Sequence, residues 1–225
     1  MKKEKGIYQH SENRWEARFK IGVNEEGRAI YKSVYAKTRE EVIEKRTAMI
    51  GEMPDPTKMP TEMNLLILGA GTHGRDVYEI AESLHIFKKI SFLDDKAEGE
   101  QIIGKCKDIL KFRGEYPCAF VAIGDNEIRK KYANMLKEYR FLLPSIVSPM
   151  ANISPNAKIG EGVAVLPMAR IGEATIGDFC IIASNGVINT GAVVRDLCHV
   201  DCAAIVKKEA RVPKGTWIRS GEIYE

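Results

Sequence analysis

Aliphatic residues recur every six positions through the C-terminal third of this 225-residue chain. They fall at Ile153, Ile159, Val165 and Ile171. After one step of five they resume at Ile176, Ile182, Ile188, Val194, Val200, Val206, Val212 and Ile218. No helix has that period, and a single strand shows period two. A repeat this short predicts a parallel β-helix, in which each hexad is one flat side and three make a coil. The aliphatic residue points inward, and stacking of coils buries a continuous core. Twelve such positions predict about four coils.

Upstream the periods change. Gly6–His10, Trp15–Gly22 and Ala29–Ala36 alternate apolar and polar residues as strands do, with turn composition at Asn24-Glu-Glu-Gly27. Thr38-Arg-Glu-Glu41 is a capping box that opens a helix to about Ile50. Residues 1–50 therefore read as a three-stranded sheet with one helix. Residues 51–62 hold three prolines and no periodicity, and read as a linker. Leu65–Leu68 is a short buried strand, followed by a helix to about Leu84. A second strand ends in Phe92-Leu-Asp-Asp95. Cys118–Ile123 is another strand, Asn126–Tyr139 a helix and Phe141–Val147 a last strand. Strand–helix alternation over 63–147 predicts a small α/β domain with a parallel sheet, too short for a full two-half dinucleotide fold. Residues 148–225 form the β-helix.

Composition narrows this picture. A hydrophobic share of 44% is ordinary for a soluble protein, and no apolar run is long enough to span a membrane. Five cysteines are an odd number without a disulfide framework, which points to a reducing cytoplasm. Net charge is +3 but uneven. Residues 1–50 hold 12 Lys and Arg against 8 Asp and Glu, a net +4, so any polyanion contact belongs there.

Gly69, Gly71 and Gly74 form G-x-G-x-x-G directly after a strand and before a helix. Glycine permits the tight turn and a close approach of ligand to backbone, and the helix N-terminus offers free N–H groups to a phosphate. Asp94 or Asp95, about twenty residues on, is placed to accept from a ribose hydroxyl. The small domain argues for a nucleotide other than NAD, which stays as an alternative; a ligand-free turn is the plainer reading. His73 lies inside this loop at the helix start, as an exposed residue beside any bound phosphate or sugar.

Residues 64–225 resemble the sialic acid O-acetyltransferase and UDP-amino-sugar N-acetyltransferase family (NeuD/PglD-like). The matching residues are Leu66-Ile-Leu-Gly-Ala-Gly-Thr-His-Gly74, Phe92-Leu-Asp-Asp95, Ala122-Ile-Gly-Asp-Asn-Glu-Ile-Arg129 and the hexads, including Val187-Ile-Asn-Thr-Gly-Ala-Val-Val194. The resemblance implies a Rossmann-like α/β domain that binds a UDP-sugar-type ligand, then a left-handed β-helix. It implies a homotrimer with acetyl-CoA as co-substrate between neighbouring β-helices and no metal. The sugar amine or hydroxyl attacks the thioester, and a β-helix histidine of the adjacent subunit removes its proton. Gly69, Gly71, His73, Gly74, Asp94 and Asp95 match the nucleotide-sugar positions. Gly124 and Asn126 lie at the second strand end used for the same ligand. His199, in Cys198-His-Val-Asp-Cys202, resembles a second family histidine near the acetyl group.

The chain also departs from that family. The catalytic stretch Glu-His-Asp-Cys is replaced by Arg195-Asp-Leu-Cys198, which puts Asp196 where the histidine belongs or removes a hexad with it. Either way the expected base is missing, and its task falls to His199 or His73. Ser148-Pro149 replaces a His-Pro that opens the β-helix in relatives, and Pro213-Lys-Gly-Thr-Trp-Ile218 resembles the closing coil.

The first fifty residues resemble the arm-type DNA-binding domain of tyrosine integrases, through Gly6-Ile-Tyr, Arg14-Trp-Glu-Ala-Arg18, Gly27-Arg, Tyr31-Lys-Ser-Val-Tyr35 and Lys37-Thr-Arg-Glu-Glu41. That resemblance implies a sheet face in the major groove of duplex DNA. Arg14, Arg18, Lys20, Arg28 and Lys32 are then the contacts, and Trp15 packs under the helix. A solvated basic face on an interaction module is the alternative. Cys180 and Cys198 stand one coil apart and stack, with Cys202 and His199 nearby. Packing of small residues explains them better than zinc, which needs four convergent ligands. Lys207, Lys208 and Arg211 either attract CoA phosphates or form plain charged surface.

These readings lead to an acetyl-CoA-dependent acetyltransferase acting on an amino or hydroxyl group of a nucleotide-activated sugar. The alternative is a catalytically degenerate, nucleotide-sugar-sensing DNA-binding protein; a third is a scaffold in which the β-helix only trimerises the small domain.

Overall fold

The computed structural model describes residues 6–23, 29–50 and 63–225. The expected turn at 24–27, Arg28 and the linker 51–62 lie outside the described residues.

β1 (Ile7–Ser11), β2 (Arg14–Val23) and β3 (Ala29–Ala36) form an antiparallel sheet in that order. Alternation along β2 sends Trp15, Ala17 and Phe19 to one face, where Ala17 and Phe19 are buried with Val34 and with Val42 of α1 (Arg39–Ile50). The Thr38 hydroxyl accepts from the Glu41 N–H, and the Glu41 carboxylate reaches back to the Lys37 N–H. The first bond satisfies one orphan N–H of the first turn, and the second ties down the residue before the cap.

The α/β unit holds β4 (Asn64–Leu68), α2 (Thr72–Ser83), β5 (Lys89–Leu93), β6 (Ile102–Gly104), β7 (Cys118–Val121) and α3 (Asn126–Glu138). All strands are parallel, in the order β6-β5-β4-β7. Every residue of β4 is buried, as a continuous apolar run demands of a central parallel strand. β6 and a 3₁₀ turn at Cys106–Phe112 carry no period in the sequence and were not foreseen. The chain winds from β4 toward β6 and then returns to the other side of β4 with β7. The crevice outside the strand ends between β4 and β7 is therefore a topological switch point, where such sheets bind ligands.

The hexads build fourteen two-residue strands, stacked as parallel sheets of five, five and four. This fits the left-handed β-helix. Val165 pairs with Ile182, 17 residues on, and Ile182 with Val200, 18 on, so the single step of five shortens one coil without breaking register. Inward residues such as Ile171, Ile182, Val194, Val200, Val206 and Ile218 are fully enclosed, while Ile153 and Ile159 in the first coil are partly buried. The helix runs to Ile223–Tyr224, one strand past the last hexad counted and within the expected 148–225. Its start needs correction: it begins at Ile146–Val147, which pairs with Ala164–Val165 rather than with the α/β sheet. The expected strand Phe141–Val147 divides at Pro144: Leu142 alone bridges to Cys118, and proline, lacking a ladder donor, ends that pairing. Ile146, Ala164, Leu166 and Ala183 on the outer side of one sheet share a core with Val77 and Ile80 of α2. That contact seats the α/β unit on the β-helix.

Candidate active site

The three loop glycines serve two purposes. Gly69 has φ +100°, and a Cβ on it would lie 2.7 Å from the Ala122 carbonyl oxygen. A Cβ on Gly74 would meet the Gly69 carbonyl oxygen at 2.0 Å. Both are required by close packing of strand, loop and helix. Gly71 instead faces open space, and so does Gly124 at the end of the adjacent strand. Gly71 also caps α2, and having no side chain it makes no cap bond to the first-turn N–H groups. The two bare glycines at the switch point outline a cradle fit for a phosphate or sugar.

Asp94 braces this cradle. One of its carboxylate oxygens accepts from the Ala70 N–H at 2.7 Å, the other from the N–H groups of Lys96 and Ala97. Burial opposes its charge, but these three bonds hold its carboxyl below the usual range. Asp95 accepts from the Cys106 N–H and, at 3.3 Å, from the Tyr132 hydroxyl.

Arg129, from the first turn of α3, is buried. Its guanidinium donates to the carbonyls of Ile123 and Gly124 at the end of β7, to the Asn126 side chain, and across to the β-helix carbonyls of Phe179 and Leu197, all within 2.9 Å. Phe179 and Leu197 stand one coil apart, both with positive φ. Burial lowers the guanidinium pKa to about 10, and it remains charged at neutral pH. Asn126 adds a bond from its amide to the Gly215 carbonyl at 2.7 Å. Asp125 caps α3 through the Ile128 N–H.

His73 and His199 meet at this junction. His73 is half-buried rather than exposed as expected, because the β-helix packs beside the glycine loop. Its Nε2 is fully enclosed and has no hydrogen-bond partner, and the same is true of Nδ1 of His199. Burial drives the His73 imidazole pKa down to about 4, with the charges of His199 and Arg129 adding to the effect. Burial also lowers His199, where Asp201 and the Gly124 carbonyl favour the protonated form and Arg129 and Arg219 oppose it. His73 is therefore neutral at pH 7. A buried polar atom without a partner calls for a water or a ligand atom. Neutral imidazole nitrogens of this kind can accept a proton.

Sequence reasoning thus named His73, His199, Gly71 and Gly124, and the fold brings them together. Arg129 and Trp217 lie in the family-like motifs, but no spacing marks either as functional. Asp196, one of the two expected places of the missing histidine, accepts from the Asp178 N–H and pairs with Lys214 at 3.5 Å. The Cys180 and Cys198 thiols, both buried, donate to the carbonyls of Arg195 and Pro213. Among the described residues no group of three or more His, Cys, Asp and Glu is placed to hold a metal, and no helix is long and apolar enough to cross a membrane.

On the N-terminal sheet, Arg14 and Arg18 lie over the rings of Tyr35 and Tyr31, at 5.3 and 4.8 Å. Lys32 does not join them. It pairs with Phe19 on the opposite face and bonds Glu138 of α3 at 3.2 Å. Arg28 and the Lys20 side chain lie outside the described residues.

Residues 64–136 match the sequence model of the PglD N-terminal domain. The chain is 30% identical over 110 residues to UDP-N-acetylbacillosamine N-acetyltransferase of Bacillus subtilis (strain 168), covering 46% of this chain and 51% of that protein. It thus spans about half the length of this curated relative. The acetyltransferase domain of PglB from Neisseria gonorrhoeae FA1090, solved with acetyl coenzyme A, superposes with a TM-score of 0.62 at 26% identity, over 71% of this chain and 89% of that one. A histidine-to-alanine mutant of GDP-perosamine N-acetyl transferase from Caulobacter crescentus, solved with CoA and GDP-perosamine, shares the fold with a TM-score of 0.65 at 23% identity, over 72% and 88%. In sequence and in fold, the chain from residue 64 onward is similar to N-acetyltransferases of sugars.

Proposed function

We propose that this chain transfers an acetyl group from acetyl-CoA to an amino or hydroxyl group of a nucleotide-activated sugar. The observation that carries this reading is the pair of enclosed, unpartnered ring nitrogens, His73 Nε2 and His199 Nδ1, beside an open glycine cradle. The first-turn amides of α2 and the backbone at Gly71 and Gly124 hold the nucleotide-sugar phosphates. His199 accepts the proton that the acceptor group loses as its bond to the acetyl carbon forms and the C–S bond breaks. It then returns that proton to the departing thiolate. His73, neutral at pH 7, receives a sugar hydroxyl or shares the proton transfer. Positioning supplies much of the rate in such a transfer, and the base a further factor of about 10²–10⁴.

The same reading divides the chain into a DNA-binding-like module at 1–50, a linker at 51–62, a nucleotide-sugar domain at 63–147 and a β-helix from 148, assembled as a homotrimer in the cytoplasm. Asp94 and Asp95 serve the ligand indirectly, through the glycine loop and its neighbours. Thiol release from acetyl-CoA in the presence of UDP-amino-sugars tests it. We expect slow turnover that His199→Ala removes. Absence of thiol release and of acetylated sugar at high enzyme concentration overturns it.

A second reading is favoured by Asp196, a carboxylate tied into a coil corner in the stretch that stands in for the expected catalytic histidine. In that reading the cradle senses a nucleotide sugar and the arginine–tyrosine face of the N-terminal sheet binds duplex DNA. Ligand-induced stabilisation without thiol release points to it.

A further inference from the structure

His199 belongs to the outward row of one β-helix sheet, in register with Trp217 one coil below. The two rings are stacked, 5.1 Å between centroids and 5° from parallel. The indole is held in turn: its Nε1 donates to the Asp201 carboxylate at 3.4 Å, and the Arg219 guanidinium lies 3.9 Å from its centroid. Trp217 is itself 41% exposed, so burial alone does not explain its place. One indole, held by two side chains from two successive coils, thus covers an imidazole whose Nδ1 has no hydrogen-bond partner.

We infer that Trp217 is a positioning residue for His199, fixing the plane of the imidazole from a stack that Asp201 and Arg219 hold in place. In a two-sided ring the useful nitrogen depends on orientation. A carboxylate commonly orients a catalytic histidine by a direct hydrogen bond. Here Asp201 reaches the histidine through the flat face of an indole instead. The stack also removes water from one side of the imidazole. This inference rests on the proposed role of His199 in acetyl transfer, but the orientation itself can be measured without turnover. The charged and titratable groups that bear on His199 are Asp201, Arg129 and Arg219, with His73 across the cleft.

Imidazole proton and nitrogen resonances of His199, followed through a pH titration of the full chain, read the effect. Trp217→Ala is expected to raise the His199 midpoint by at least about half a unit, since water regains the ring and favours its charged form. The same change should appear in the acidic limb of kcat/KM. Trp217→Phe keeps a flat apolar face and should restore the parent midpoint. Asp201→Asn keeps an acceptor for the indole N–H but removes a charge that favours protonation, so the midpoint should fall. If Trp217→Ala leaves the resonances and the pH limb unchanged in a protein with parent-like circular dichroism, the inference is overturned. If Trp217→Ala does not fold, Trp217→Gln, which lays a polar side chain over the imidazole, decides: a raised His199 midpoint supports the stack, and the parent midpoint refutes it. Shifted resonances in a protein that never releases thiol would keep the positioning role and overturn the acetyl-transfer reading.

Discussion

His73 joins a charge problem to a stability problem. Its imidazole, with a pKa of about 4 in the folded chain against an ordinary 6.5, is neutral when the protein folds. The unfolded chain binds the extra proton between those two values. Stability contributed by neutral His73 is therefore complete above about pH 6.5, falls as pH drops toward 4, and is lost below it. The melting temperature should fall between pH 7 and pH 5, and His73→Asn should flatten that fall. The thermal shift from a nucleotide sugar that donates to Nε2 should be nearly the same at pH 7 and pH 5, where folded His73 is neutral, and should shrink as pH approaches 4. His73 and His199 were legible as candidates because a histidine in a glycine loop or in a hexad is conspicuous. Arg129 was not legible as a link: its partners Phe179 and Leu197 lie 50 and 68 positions away. No local pattern records a contact across that separation.

At the scale of the element, the strand–loop–helix of β4 and α2 offers a contrast between two glycines. A methyl at Gly71 enters open space, whereas at Gly74 it strikes the Gly69 carbonyl oxygen at 2.0 Å. Gly71→Ala should leave urea unfolding within about 1 kcal/mol of the parent, the helix start tolerating the change. It should reduce or remove stabilisation by UDP-sugars, read as a thermal shift. Gly74→Ala should instead destabilise the free protein by about 1–3 kcal/mol through forced displacement of backbone. Equal effects of the two would remove the distinction between packing and cradle glycines. The loop and the hexads were readable because their spacing is strict. β6 and the turn at Cys106–Phe112 were not, since three-residue strands and 3₁₀ turns give too few positions for a period to show. The β-helix start at Ile146 was missed because Phe141–Val147 is one apolar stretch whose two halves enter different sheets.

Over the whole molecule, the order of modules could be read from changes of period, while their contacts could not. Strand alternation separates Arg14 and Arg18 from Lys32, which the local basic charge had grouped together. The outward residues Val187, Ile205 and Ile223 are in register on another side of the β-helix, and form an apolar column at its surface. Such a column suits contact with further copies, and light scattering should give about three times 25.2 kDa. A monomer at micromolar concentration would count against a homotrimer.

The bonds from Arg129 and Asn126 have a mechanical consequence. They pin the end of β7 to three successive corners of the β-helix, at Phe179, Leu197 and Gly215. The two walls of the cleft are thus one jaw of fixed gape, not a hinge. A ligand entering it meets a gap set before its arrival. It is selected by whether it fits, since no closing motion across these bonds can reward a better one.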